Sequence, residues 1–248
     1  MKYSEYQPRA DLLKDKIILI TGAGDGIGRA AAISYALHGA TVVLHGRTLN
    51  KLEVIYDEIE SLGAPQPAIL PLQLSTASQH DYELLYDTLE KQFGHLDGIL
   101  HNAGILGDRV ELAHYPIDVW DDVMAVNLRA PFLLTQELMP LLQKSDNASV
   151  VFASSGVGRE VREKWGAYSV SKIAIEAVSK LFAAENVYPN IRFNCINPGG
   201  TRTAMRAKAY PDEDPLSLPT PESIMPAYLY LMGEDSLQMN GQSIDAQD

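Results

Sequence analysis

The chain has 248 residues, 46% of them apolar, which is enough for one large α/β domain and short for two. A formal charge of −12 excludes a general affinity for nucleic acid, whose phosphates would be repelled, and the lone Cys195 excludes an intramolecular disulfide or a cysteine-based zinc site. No apolar run approaches the roughly 18 residues of a membrane span, and the polar, charged residues 1–16 lack a signal peptide's apolar centre, so a cytoplasmic protein without membrane or metal partners is expected.

Residues 1–13 read as an N-terminal extension, packed or loose, ahead of a single domain over 14–248. From there short apolar runs alternate with amphipathic stretches. Strands are predicted at 17–20, 41–44, 68–72, 98–100, 149–153 and 191–196, because apolar runs without polar alternation suit strands covered on both faces. Helices are predicted at 29–37, 49–62, 82–93, 119–142 and 168–184, with Gly39, Gly63 and Gly94 ending the first three. The proline-rich stretch 201–221 reads as a loop with at most a short helix, placed to act as a substrate-side lid. This alternation predicts an α/β fold: a doubly wound, Rossmann-like αβα sandwich of about seven parallel strands.

Between the first strand and helix lies Thr21-Gly22-Ala23-Gly24-Asp25-Gly26-Ile27-Gly28. A tight turn there lets bare backbone approach a pyrophosphate while the helix N-terminus supplies amide donors and positive potential. Three spaced glycines alone could be an ordinary turn; between strand and helix they favour a dinucleotide. The absence of Gly-Lys-Ser/Thr after them argues against a triphosphate P-loop. The second strand ends in Gly46-Arg47, where an NAD site commonly has an acid for the ribose hydroxyls. A guanidinium there can pair with a 2′-phosphate instead, so Arg47 points to NADP(H).

Tyr168 and Lys172 open the 168–184 helix, four residues apart and on one face. A phenol ordinarily titrates near ~10, and a neighbouring ammonium could lower it by roughly 1–3 units. The pair alone is a weak pattern.

Together these motifs make the chain resemble the short-chain dehydrogenase/reductase family, and within it the bacterial YciK-like oxidoreductases. The family's TGxxxGxG turn matches Thr21, Gly22, Gly26 and Gly28, and its Asn-Asn-Ala-Gly element matches His101-Asn102-Ala103-Gly104. Its asparagine matches Asn127, its YxxxK pair Tyr168 and Lys172, and its Pro-Gly segment Pro198-Gly199. The family's serine stands thirteen residues before the tyrosine, which selects Ser155 over Ser154.

The resemblance implies a catalytic set of Asn127, Ser155, Tyr168 and Lys172. It implies an NADP(H) site formed by Gly22, Gly24, Asp25, Gly26, Ile27, Gly28, Arg47, Gln73, Leu74, Asn102, Ala103, Gly104, Tyr168, Lys172, Pro198, Gly199, Thr201 and Thr203. Gln73 stands where many relatives have an aspartate for the adenine amino group. His101 replaces an asparagine and reads as a strand-end residue near the adenosine side. The charged stretch 159–164 reads as a solvated loop or a contact to an anionic substrate.

The implied activity is hydride transfer between NADP(H) and a small carbonyl or secondary alcohol, with the compound, its chirality and the direction left open. A non-catalytic NADP(H)-binding regulator or assembly subunit on the same fold is the alternative. Surplus apolar residues on the 119–142 and 168–184 helices, with the association mode of relatives, lead to an expected homodimer or homotetramer.

Overall fold

Apolar runs rich in β-branched residues become β1 (Ile17–Thr21), β2 (Thr41–Gly46), β3 (Ala68–Pro71), β4 (Gly98–His101), β5 (Ala148–Ala153) and β6 (Ile191–Asn197), with a short β7 (Ser243–Asp245) at the edge. The structure is a computed structural model that describes residues 2–247. All seven strands pair in parallel in the order β3-β2-β1-β4-β5-β6-β7. The order reverses between β1 and β4, and such a reversal opens a crevice at the carboxyl ends of the strands, where ligands bind in sheets of this type.

The two faces of each strand feed different cores, as the two-residue period requires. Ile18, Ile20, Val42, Leu44 and Val151 pack with α1 (Gly26–Leu37), α2 (Leu49–Ser61) and α8 (Met225–Met232). Leu19, Val43, Ile99, Val150 and Phe152 pack with α3 (Gln79–Phe93), α5 (Ala130–Leu142) and α6 (Gly166–Glu185). The described residues ahead of β1 pack on the domain. Leu12 and Leu13 are buried in the first core, Arg9 pairs with Glu234 at 2.7 Å, and the rings of Tyr3 and Tyr6 lie against Tyr230.

Several elements differ from their predicted bounds for physical reasons. α3 starts at Gln79, ahead of its apolar stripe, because Ser78 and Asp81 form a reciprocal capping box. The long helix predicted over 119–142 is three pieces: α4 (Ile117–Met124), a π-helical turn (Ala125–Arg129) and α5. β7 has one buried residue, Ile244, so no apolar run announces it. The 201–221 stretch contains α7 (Ala204–Ala209) and a 3-10 turn at Pro215–Ser217. No described helix is long and apolar enough to cross a membrane.

Candidate active site

The turn from β1 into α1 is held against the end of β4. Thr21 Oγ1 accepts the backbone N–H groups of Asn102 (3.1 Å) and Ala103 (3.0 Å), and donates to Leu100 O (3.4 Å). Gly22 has φ 69°, and a Cβ there would lie 2.8 Å from Ala103 Cα. At Gly28 a Cβ would sit 2.1 Å from Gly22 O, so this glycine sets how closely α1 approaches the turn and does not line the cleft. Asp25 caps α1 by accepting Gly26 N–H at 2.8 Å, and its other oxygen pairs with Lys51 at 2.8 Å. That pairing with Lys51 holds the Asp25 carboxyl below its ordinary range.

Two adjoining clefts follow the carboxyl ends of the strands. One, about 320 Å³, is lined by Gly22, Gly24, Arg47, Gln73, Leu74 and Gly104 among others. The other, about 410 Å³, runs from Gly26 and Ile27 past Asn102, Pro198, Gly199, Thr201 and Thr203 to Ser155, Tyr168 and Lys172. Arg47 lies on both and makes no side-chain ion pair or hydrogen bond among the described residues. An exposed, uncommitted guanidinium at one end, helix amides in the middle and Lys172 at the far end form a donor set suited to an extended, phosphorylated dinucleotide.

Tyr168 lies in the first turn of α6 and lines the same cleft as Ser155, which follows β5 and pulls the phenol pKa downward. Lys172, one turn further, donates to Ala153 O at 2.7 Å, with Nζ 5.6 Å from the Tyr168 ring centre. The lowering that a neighbouring ammonium could give the phenol does not prevail in the structure. Burial raises the Tyr168 pKa, outweighing the opposite pull of Ser155. The same burial pushes Lys172 down to about 8, because an ammonium out of water loses the hydration that favours its charged form.

Asn127 does not line the cleft; it is buried behind Gly104 in the π-helical turn. Its Nδ2 donates to Ile105 O (3.0 Å) and Ser171 Oγ (3.1 Å), and its Oδ1 accepts Ile105 N–H (2.9 Å). Both amide hydrogens are therefore spent, and one lone pair of Oδ1 remains. π-turns inside helices recur at functional sites, and this one aims a side chain that regular winding would rotate away.

Ser154 and Ser155 point to different surroundings. Ser154 is buried, and its hydroxyl donates to Glu176 Oε1 at 2.8 Å. The same oxygen accepts from Arg159 Nε (3.0 Å) and Ser243 Oγ (2.9 Å), while Arg159 reaches Asp245 at 2.7 Å. Residues 159–164 form an exposed loop, as one of the two readings expects, but the Arg159 guanidinium is held by α6 and β7.

His101 also departs from expectation. It packs under α5, donating through Nε2 to Thr135 Oγ1 (2.8 Å) and stacking on Phe152, away from the adenosine end of the cleft. Because Thr135 already donates to Pro131 O, the bonded His101 nitrogen carries the hydrogen, and burial holds the ring neutral with a pKa of about 3.

Sequence reasoning missed Lys51, Thr48 and Ser75 at the Arg47 end, and Leu106, Trp165, Met205 and Ala209 around Tyr168. The cation and hydroxyl just after Arg47, at the start of α2, were a usable signal for the first set. The second comes from the segment after β4, the residue before α6, and α7, which no local pattern joins.

A family model described as short chain dehydrogenase matches residues 16–214. The chain is 51% identical over 242 residues to the oxidoreductase YciK of Escherichia coli, covering 98% of this chain and 96% of that protein. It is 32% identical over 241 residues to the 3-oxoacyl-(acyl-carrier-protein) reductase FabG of Thermotoga maritima, covering 94% and 96%. Among solved structures, a short chain dehydrogenase from Escherichia coli CFT073 complexed with NADPH is similar at TM-score 0.95 and 51% identity, covering 97% of this chain and all (100%) of that one.

Proposed function

The chain belongs to the short-chain dehydrogenase/reductase family, and on that premise we propose that it is an NADP(H)-dependent oxidoreductase interconverting a carbonyl compound and a secondary alcohol. The observation that carries this reading is the meeting of Ser155, Tyr168 and Lys172 at the end of a cleft whose other end holds the uncommitted Arg47. The NADPH-bound relative supports the choice of cofactor.

The glycine turn and the α1 amides would hold the pyrophosphate, Arg47 the 2′-phosphate, and Lys172 the nicotinamide ribose. When bound, NADPH supplies the hydride that the carbonyl carbon gains. Ser155 donates a hydrogen bond to the carbonyl oxygen as charge builds there, so the oxygen meets a fixed donor rather than mobile water. Tyr168 releases its phenolic proton to that oxygen. Its raised pKa keeps the acid form populated at neutral pH. Lys172, cationic below about pH 8, stabilises the phenolate left behind. The remaining lone pair of Asn127 Oδ1 accepts a water that returns a proton toward Lys172. The exposed Phe132, Val170, Ile173 and Leu181 on α5 and α6 support self-association as a homodimer or homotetramer.

The adjacent serines test the reading. Ser155→Ala should lower NADPH-dependent turnover of an accepted carbonyl by about 10²-fold or more. Ser154→Ala, which loses only a bond to Glu176, should stay within about tenfold of the parent. Equal effects, or the reverse order, would remove the assignment of Ser155.

A further inference from the structure

The half of the cleft around Tyr168 has a wall of its own. Leu106, Val157, Trp165, Tyr168 and Ala209 form a separate buried apolar cluster, with Met205 and Tyr210 packed on it. Of these, Leu106, Trp165, Met205 and Ala209 face the cleft beside Tyr168. Trp165 lies 5.7 Å from the Tyr168 ring and 5.9 Å from that of Tyr210.

The cations nearby are already committed. Arg206, on the cleft wall, is bound by both oxygens of Glu213 at 2.6 and 2.7 Å and lies 3.8 Å from the centre of the Tyr210 ring. Arg109 does not line the cleft; it lies over the Trp165 ring, 4.6 Å from its centre, and donates to the Ala209 carbonyl. Lys172 is held by Ala153 O. Arg47 borders the cleft at its opposite, adenosine end.

We infer that the substrate is a compact, uncharged carbonyl compound carrying an apolar ring, seated against Trp165 and Met205 with its oxygen toward Ser155 and Tyr168. This rests on the reductase reading above. A carboxylate or phosphate would have to share Arg206 with Glu213, which already balances its charge, within a chain of net charge −12. A polyol would lose water from its hydroxyls against carbon and gain few bonds in return. A planar apolar ring loses nothing comparable and gains contact with the indole. Size adds a limit, because the cleft of about 410 Å³ must also take the nicotinamide half of the cofactor. The reaction balances as reduction: the carbonyl carbon gains hydride, its oxygen gains a proton, and NADPH is oxidised to NADP⁺.

Steady-state kinetics of the full chain with NADPH test the inference on 2-tetralone (uncharged, bicyclic), dihydroxyacetone (uncharged polyol) and acetoacetate (anion). The expected kcat/KM for 2-tetralone exceeds either of the others by about a hundredfold, the size of burying one ring face. Trp165→Ala should cut that advantage at least about tenfold through KM, with the NADPH Kd unchanged. Met205→Gln, on the more exposed side of the wall, should do the same if the tryptophan variant does not fold. Preference for acetoacetate or dihydroxyacetone overturns the inference while leaving the reductase reading intact. If no probe is turned over, calorimetry on the NADP⁺ complex separates the two. Binding of 2-tetralone that the wall variants weaken supports the pocket and counts against the reductase, and no binding overturns the inference.

Discussion

At the scale of the residue, the proposed phosphate site rests on Arg47, which lines both clefts at the end of β2. Its side chain is exposed at the mouth of the cleft, and the Asp25–Lys51 pair nearby at 2.8 Å keeps that carboxylate from competing for it. A hydrogen bond to a charged group contributes roughly 1.5–3 kcal/mol. Arg47→Ala should therefore weaken NADPH binding by about ten- to hundredfold and leave NADH nearly unchanged, measured by calorimetry. Equal losses for both cofactors would place Arg47 outside the phosphate site. The identity of Arg47 was legible because the end of the second strand is a fixed position in the pattern. The Lys51 pairing was not, since 26 residues separate it from Asp25. The raised Tyr168 pKa was equally hidden, because spacing places a lysine near a phenol but does not report how dry both are.

At the scale of elements, the site depends on irregular pieces between regular ones. The π-helical turn over Ala125–Arg129 interrupts what the apolar periodicity presents as one helix, and it carries Asn127. Val126 and Leu128 carry the apolar run on through it, so the sequence gives little sign of it. The network around Glu176 joins α6, the residues after β5, and β7, whose strand signal is too short to read. Arg159→Ala would leave the Glu176 carboxylate, 9% exposed, with only the Ser154 and Ser243 hydroxyls. Breaking one side of such a pair should cost about 1–3 kcal/mol, or roughly 2–10 °C in Tm for a chain of this size. Thermal melting checks this. An unchanged Tm would mean that the network contributes nothing to stability and that Arg159 is idle in the folded state.

At the scale of the whole molecule, parallel pairing brings residues 22, 47, 104, 155 and 199 to one edge of the sheet, although the sequence separates them widely. That convergence was legible, because strand–helix alternation with unbroken apolar strands admits few arrangements. The substrate-side wall was not, since Leu106, Trp165 and Met205 come from the segment after β4, the approach to α6 and the short α7, which are placed by tertiary contacts such as Arg109 bonding to Ala209 O. The outer faces of α5 and α6 carry a further expectation. Phe132, Val170, Ile173 and Leu181 are 40, 37, 44 and 56% exposed, a patch that association would cover. Light scattering at micromolar concentration should give a dimer or tetramer, and a monomer would contradict that assignment.

The central claim is that Tyr168 donates the proton in a reaction that consumes NADPH. Tyr168→Phe removes one oxygen from a side chain that is 9% exposed and keeps its shape, so folding and NADPH affinity should survive. Turnover of a carbonyl substrate accepted by the parent should fall by about 10²–10⁴-fold, the usual contribution of a positioned general acid. Near-parental turnover by the folded, NADPH-binding variant would contradict the account.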